Sequence, residues 1–301
     1  DGDLTPEDAA LKVLGAIVES DKTDPQLRAF IAVNEKDVLQ QARAATLRLK
    51  EGKALSIFDD VPVAVKDELD MTPYPTTVGT SILGKSPASK DATIIERMRA
   101  AGAVLIGKTN MHEIGIGVTG SNPHYGTPRN PYDPDRFTGG SSSGSAAAVA
   151  AGLCPVALGA DGGGSIRIPA SFCGVVGLKS TFGRMSEFGA APLDWSVAHV
   201  GPLAATATDA ALAWAAMAGP DAKDPMSLHQ PAPSLNGWDN SDLNDLTLGV
   251  YWPWFRHASK DVVEVNEAML EELQKRGAKL REINIADLDA GRVAHTITIS
   301  S

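Results

Sequence analysis

The sequence predicts an α/β fold in which helices cover both faces of a sheet. Short runs of β-branched residues alternate along the chain with helix patterns, which is typical of strand–helix–strand units. The strand runs are continuously apolar, as in strands that are buried on both faces. With 301 residues, of which 43% are hydrophobic, the chain can bury a sizeable core.

Two helices open the chain. Thr5 is a suitable N-cap, Pro6 occupies the first helical position and acidic residues follow, so a helix is predicted from there to Ser20. A second helix is predicted over residues 35–50.

Strands and helices alternate through the middle of the chain. The run DVPVAVKD is short and rich in valine, which favours a buried strand. The run GSAAAVAAG favours a helix of small residues against which a neighbour packs very closely. The predicted strands are residues 60–67, 103–109, 154–161 and 175–180, and the predicted helices are residues 91–102, 144–152 and 207–219.

The last third of the chain predicts a loop and one more strand–helix–strand unit. Residues 229–245 are rich in Pro and Asn, which favours a surface loop. A strand, a helix and a strand follow at residues 246–252, 261–278 and 279–285. The final residues begin as a helix and then stop, so we expect the chain to be part of a longer protein.

Composition excludes several classes of function. The net charge of -10 and the low aromatic content of 5% argue against a nucleic-acid surface. No apolar stretch reaches the ~18 residues of a membrane span. The six histidines are scattered and none has zinc-site spacing, so we expect no metal. Cys154 and Cys173 have small apolar neighbours, which predicts buried free thiols and a reducing, cytoplasmic location.

Two glycine clusters lie between Gly139 and Ala170, and several chemistries compete for them. A P-loop requires a lysine after its second glycine, and a dinucleotide site requires G-x-G-x-x-G; neither spacing occurs here. The run GSSSG at residues 140–144 fits the G-x-S-x-G pattern of serine hydrolases, but no histidine is marked as its base. A serine nucleophile with a lysine base remains as the other interpretation.

A lysine base makes physical demands that the sequence can meet. A lysine removes a proton from serine only when it is neutral, and burial among apolar groups favours the neutral form. Lys66 ends an apolar run, which places it in such surroundings. The run DGGGS offers four consecutive N–H groups beside Ser165, and such donors stabilise a developing oxyanion.

The stretches GGSSSGSAAAVAAG and GADGGGSIRIPA resemble the amidase signature family. The resemblance implies a mixed β-sheet sandwiched between layers of α-helices, in one domain over residues 1–301 that lacks its C-terminal part and has its catalytic core at about 55–190. It also implies a catalytic set, without cofactor, in which Lys66 is the base, Ser141 relays the proton and Ser165 attacks the carbonyl. Ser142 and Ser143 are neighbours that could exchange roles with Ser141.

The same resemblance implies roles for the residues around Ser165. The N–H groups of Gly162, Gly163 and Gly164, with that of Ser165, would form the oxyanion hole. Asp161 and Arg167 flank these glycines, and we expect them to brace the loop by an ion pair.

Two departures, Ser143 for a glycine and Gly162 for a threonine, together with the run TNMHEIGIGVTGSNPHYGTPRNP, are most similar to the plant-type fatty acid amide hydrolase branch. That branch implies an N-acyl amide substrate whose apolar chain is lined by Gly115, Ile116 and Gly117. Two alternatives stay open, namely the amidase subunit of a glutamine-dependent tRNA amidotransferase and an aryl acylamidase or urethanase. The expected partner is a small-molecule amide, with a homodimer as the candidate assembly.

Overall fold

A computed structural model describes residues 4–300, and contacts between residues separate two units, Asp1–Ser234 and Leu235–Ser301. The boundary lies inside the stretch 229–245, which is a loop as predicted. The single domain that we expect over residues 1–301 stays a prediction.

The first unit contains a six-stranded mixed sheet. Its strands are β1 (Phe30–Ala32), β2 (Pro62–Lys66), β3 (Val104–Thr109), β4 (Val156–Ala160), β5 (Val176–Gly177) and β6 (Val200–Ala204). They lie in the order β1-β3-β2-β4-β6-β5. The central strands β3, β2 and β4 are parallel, and the flanking pairs β1–β3, β4–β6 and β5–β6 are antiparallel.

Helices cover both faces of this sheet, as predicted. They are α1 (Pro6–Ser20), α2 (Glu35–Lys50), α3 (Thr93–Ala100), α4 (Ser143–Ala150), α5 (Arg167–Phe172) and α6 (Ala207–Met217). Successive side chains of β2 point to opposite faces. Val63 and Val65 pack in the cluster that contains α3 and α6, whereas Ala64 packs in the cluster that contains α1, α2 and α4.

The first helix begins at the predicted cap, Thr5, and the second begins at Glu35 as predicted. The Thr5 side chain accepts a hydrogen bond from the Asp8 N–H, while the Asp8 carboxylate accepts one from the Thr5 N–H. At α2, the Asn34 side chain accepts from the Asp37 N–H. The pair of hydrogen bonds at α1 and the one hydrogen bond at α2 satisfy N–H groups that the first turn of a helix leaves unpaired.

Two strands and one α-helix described in the first unit were not predicted, namely β1, β6 and α5. β1 has three residues and α5 has six, too few for a periodic pattern. β6 contains Gly201 and Pro202, which favour a turn in isolation. It forms because β4 on one side and β5 on the other supply pairing partners.

The second unit is a small parallel pair with helices. β7 (Thr247–Val250) and β8 (Lys279–Glu282) pair in parallel, and α8 (Lys260–Lys275) connects them, as the sequence predicts. The short α7 (Trp252–Phe255) precedes α8, and α9 (Leu288–Ser300) ends the described chain. Within residues 4–300, no helix combines the length and the apolar character that a membrane span requires.

Candidate active site

The parallel arrangement of β2 and β4 brings the predicted base next to the glycine-rich segment. Lys66 is the last residue of β2, and the paired strand β4 ends at Ala160, directly before Asp161. The Lys66 side chain is fully buried, and its Nζ donates a hydrogen bond of 2.8 Å to Ser141 Oγ. A longer contact of 3.4 Å reaches the carbonyl oxygen of Ala160.

The three consecutive serines are distinguished by their contacts. Ser141, whose peptide bond with Gly140 is cis, bonds to Lys66. The Ser142 hydroxyl instead donates to the Ala160 carbonyl at 3.2 Å, and the Ser142 N–H donates to the Ser165 carbonyl at 3.1 Å. Ser143 begins α4, and its buried hydroxyl has no hydrogen-bond partner among the described residues. The geometry therefore pairs Ser141 with the lysine, while Ser142 ties the serine loop to the segment that carries Ser165.

Helix α4 holds this loop by packing against backbone atoms. A Cβ on Gly144 would lie 2.3 Å from the Ala29 carbonyl oxygen and 2.5 Å from the Asn110 nitrogen. A side chain at this position would force those backbones apart, which explains the small residues of this helix. The close neighbour predicted from the run GSAAAVAAG is therefore present.

The glycine-rich loop is organised around Asp161. Its carboxylate accepts hydrogen bonds from the Gly164 N–H at 2.7 Å and the Ile166 N–H at 3.1 Å, and it forms a two-bond ion pair with the Arg167 guanidinium at 2.9 and 3.0 Å. Burial by itself raises the pKa of Asp161, but the hydrogen bonds and charge of Arg167 and the two N–H groups outweigh it, so the pKa lies below its ordinary value.

This arrangement changes the expected oxyanion hole at one position. The sequence predicts donors at Gly162, Gly163 and Gly164, but the Gly164 N–H is already used by Asp161. Gly164 has a φ of 125°, and a Cβ there would lie 2.6 Å from Ile168 Cδ1, so its glycine serves the shape of the loop. Within residues 4–300, the N–H groups of Gly162, Gly163 and Ser165 bond to no protein group.

One of the predicted acyl-side residues, Gly117, lies against the serine loop. The His112 N–H donates to the Ser141 carbonyl at 3.0 Å, and a Cβ on Gly140 would lie 3.0 Å from the Gly117 carbonyl oxygen. A Cβ on Gly117 would overlap the His112 ring, so a side chain there would require that ring to move. Gly115 is buried and Ile116 is exposed. The structure thus places Gly117 beside Gly140 of the serine loop, and contact of Gly115, Ile116 and Gly117 with an acyl chain stays a prediction.

Sequence reasoning missed one charged residue at the site, Glu68. Its Oε2 lies 2.6 Å from Lys66 Nζ, and both side chains are buried. Lys66 is buried, as expected for the end of an apolar strand, but its surroundings also include this carboxylate. The signal in the sequence was the acidic run KDELD, which follows the strand directly. In the structure the Leu69 N–H donates to the Lys66 carbonyl, and the resulting turn folds Glu68 back over the end of the strand.

Burial shifts the pKa values of two thiols and of a further carboxyl group. Burial raises the pKa of both Cys154 and Cys173 to about 12, so these free thiols are poor nucleophiles. Burial also raises the pKa of Glu187 to about 8, with the charges of Asp224 and Glu68 adding to the effect. Among the described residues, no three His, Cys, Asp or Glu side chains are grouped as a metal site would require.

Comparison with known proteins relates this geometry to one family. The family model named Amidase matches residues 13–299. The chain is 42% identical to a fatty acid amide hydrolase of Arabidopsis thaliana over 99% of this chain and 50% of that protein. It is 41% identical to a glutamyl-tRNA(Gln) amidotransferase subunit of a Coxiella burnetii strain over 91% of this chain and 57% of that subunit.

Solved structures agree with the sequence matches. The native peptide amidase of Stenotrophomonas maltophilia superimposes with a TM-score of 0.91 at 32% identity, over 98% of this chain and 62% of that one. The chain spans about half the length of the plant relatives it matches. The family match covers both units, and the paired lysine and serine lie on the fold that these amidases share. This chain therefore belongs to the amidase family.

Proposed function

We propose that this chain carries the catalytic core of an amide hydrolase that works through an acyl-enzyme on Ser165. The observation that supports this most directly is the buried hydrogen bond of 2.8 Å between Lys66 Nζ and Ser141 Oγ, beside the loop that bears Ser165. Ser165 is the one serine of that loop, and its own N–H belongs to the three unpaired donors.

The proposed reaction moves one proton back and forth. Neutral Lys66 takes the proton of Ser141 as Ser141 takes that of Ser165, and Ser165 Oγ forms a bond to the amide carbonyl carbon. The N–H groups of Gly162, Gly163 and Ser165 stabilise the negative oxygen. Ser141 then gives a proton to the nitrogen as the C–N bond breaks, and it takes a proton back from Lys66, which releases the amine and restores the neutral lysine. Water attacks the resulting ester by the same route, releases the acid and restores the Ser165 hydroxyl.

The loop residues Asp161, Arg167 and Ser142 act in this proposal by position. Asp161 fixes the glycine segment from inside, since it binds two N–H groups and the Arg167 guanidinium. Ser142 fixes the distance between the serine loop and the glycine loop through its N–H. None of the three needs to exchange a proton with the substrate.

The proposed substrate class is an N-acyl amide with an apolar acyl chain. Identity of 42% to a plant fatty acid amide hydrolase supports it. Ile114, Ile116 and Val118 are exposed on the loop beside Ser141, where an apolar chain could cover them. The chain spans about half the length of this plant relative.

A substrate panel tests this function. The panel contains oleamide, an N-acylethanolamine, a short aliphatic amide, a p-nitroanilide, a carbamate and glutamine, with Ser165→Ala as the blank. We expect turnover of the long-chain amides to exceed that of the short amide, and Ser165→Ala to lose at least about a thousandfold. Preference for the anilide or the carbamate would instead indicate an aryl acylamidase or a urethanase that uses the same acyl-enzyme mechanism. Full activity of Ser165→Ala would refute the acyl-enzyme.

A second candidate is the amidase subunit of a glutamine-dependent tRNA amidotransferase, which the 41% identity to a protein of that kind supports. This function would require ammonia release from glutamine and co-purification of partner subunits. Turnover of fatty amides without release of ammonia from glutamine would remove it.

A further inference from the structure

Two lysines of the central strands are buried, and each faces its own carboxylate. Lys108, on β3, lies 3.5 Å from Asp67, which also accepts hydrogen bonds from Thr77 and Gly79. Lys66, at the end of β2, lies 2.6 Å from Glu68. The adjacent residues Asp67 and Glu68 thus serve different lysines, and only Glu68 reaches the lysine that bonds to Ser141.

Glu68 is built into its position by backbone contacts on both sides. The Leu69 N–H closes a turn on the Lys66 carbonyl at 3.1 Å, and the Ala191 N–H donates to the Glu68 carbonyl at 2.8 Å. Its side chain is 5% exposed and that of Lys66 is 1% exposed. Among the described residues, the contact with Lys66 is the one ion pair that Glu68 makes.

Because both side chains of this pair are buried, water screens the interaction between their charges only weakly. A carboxylate near a buried amine favours the charged ammonium, by an amount that water screens far less than at a surface. The same amine must be neutral to accept the Ser141 proton and is charged once it has accepted it. The Glu68 carboxylate lies where its charge would stabilise the ammonium that follows proton transfer. Among the described residues its Oε2 makes no hydrogen bond, so the contact with Lys66 is one of charge.

We propose that Glu68 is a positioning residue of the catalytic set, which fixes the Lys66 amine on Ser141 and stabilises the ammonium that forms when Lys66 takes the Ser141 proton. This inference rests on the proposed Lys66–Ser141–Ser165 function and adds a fourth residue to it. The reaction stays balanced, because the proton that Lys66 takes from Ser141 returns through Ser141 to the leaving nitrogen, and Glu68 exchanges none.

Other charged groups face the pair, and the test has to account for them. They are His112 and Lys108 from β3 and the loop after it, Asp67 beside Glu68, and Glu187 and Asp194 from the segment between β5 and β6. Glu187 interacts with Glu68 and has a pKa of about 8, so its charge changes within the pH range over which labelling is followed. A Glu187→Gln background removes that contribution.

The experiment follows labelling of Ser165 by a fluorophosphonate probe across pH, which needs no knowledge of the natural substrate. The rate is measured by mass spectrometry on the unsubstituted chain, Glu68→Gln and Glu68→Asp, each with and without Glu187→Gln, and Ser165→Ala is the blank. Glu96→Gln is the matched control, since Glu96 lies at the same 2.6 Å from Lys223 but in a pair that is 40% and 47% exposed.

For Glu68→Gln we expect the pH midpoint of labelling to fall by about 1 to 3 units, because the buried ammonium loses its counter-charge. The plateau rate should fall about tenfold, since the less basic and less well-held amine is a poorer base. Glu68→Asp keeps the charge at a longer distance, so its midpoint should lie between the two. Glu96→Gln should match the unsubstituted chain.

The outcomes separate this inference from the function on which it rests. A lower rate with an unmoved midpoint in both Glu68 variants would make Glu68 a purely structural residue and overturn the inference alone. If Glu68→Gln does not fold, the midpoint of Glu68→Asp decides by itself, and an unmoved value overturns the inference. Absence of labelling of the unsubstituted chain at every pH would overturn the proposed function and the inference together.

Discussion

Two acidic residues near the site, Asp161 and Glu187, have pKa values shifted in opposite directions by their surroundings. Asp161 has two N–H donors and a guanidinium, so its pKa falls below the ordinary value despite burial. Glu187 lies in a buried position near other carboxylates, so its pKa rises to about 8. The sequence shows both as acids in polar runs, and only their neighbours in space separate an ion-paired carboxylate from one that holds its proton.

The raised pKa of Glu187 predicts a stability change with pH. The folded state binds this proton more tightly than the unfolded chain, whose reference value is 4.5. The stabilisation is therefore complete below that value and is lost as the pH rises through about 8. We expect Glu187→Gln, which stays neutral, to raise Tm relative to the unsubstituted chain at about pH 9 and to have little effect at about pH 5.

Thermal unfolding followed by circular dichroism measures this difference, with the exposed Glu96→Gln as control. Equal changes in Tm at both pH values would contradict the assignment.

At the scale of elements, helix α4 packs so closely against neighbouring backbone that it needs a glycine at residue 144. The sequence predicts a helix of small residues at this place, and the structure adds that Gly144 meets the backbones of Ala29 and Asn110. The same contact positions the serine loop, because Asn110 also accepts the Gly144 N–H at 2.9 Å.

Substitution of this glycine should damage both stability and the site. Gly144→Ala would place Cβ 2.3 Å from a carbonyl oxygen, so the helix has to move, and we expect a loss of about 1–3 kcal/mol in the free energy of unfolding together with slower labelling of Ser165. Gly15→Ala is the control, since Gly15 is inside α1 and has no neighbour within 4 Å. That variant should be stabilised by up to about 1 kcal/mol. Urea unfolding of both variants gives the comparison, and an unaffected Gly144→Ala would mean that the close contact is absent.

At the scale of the whole molecule, burial is unevenly distributed between the two units. The strands β2, β3 and β4 of the first unit are almost entirely buried, whereas β7 and β8 of the second unit are mostly exposed. Backbone amides that few apolar contacts protect open at a low free-energy cost.

Hydrogen exchange should therefore differ between the units of this chain. We expect peptides from β2, β3 and β4 to exchange most slowly and those from β7 and β8 to exchange much faster, under conditions where the chain remains folded. Mass spectrometry of proteolytic peptides provides the measurement. Comparable protection of both sets would show that the second unit is as stable as the central sheet.

Local patterns in the sequence were enough to establish the α/β class, most of the long elements and the family. Periodicity and capping residues are local properties, so α1, α2, β2, β3, β4 and α8 were predictable. The lysine and serine motifs also lie within short stretches, and their resemblance to one family named the residues that the structure brings together, Lys66 and Ser141.

Features that depend on neighbours distant in sequence emerged only from the folded chain. Strand β6 exists because β4 and β5 pair with it, although its Gly201 and Pro202 disfavour a strand locally. The Gly164 N–H, which the sequence predicts as an oxyanion-hole donor, bonds to the Asp161 carboxylate instead. Glu68 faces Lys66 because a turn folds it back over a buried strand end. Hydrogen bonds, burial and charge pairs form across space, and a pattern along the chain does not specify which groups meet.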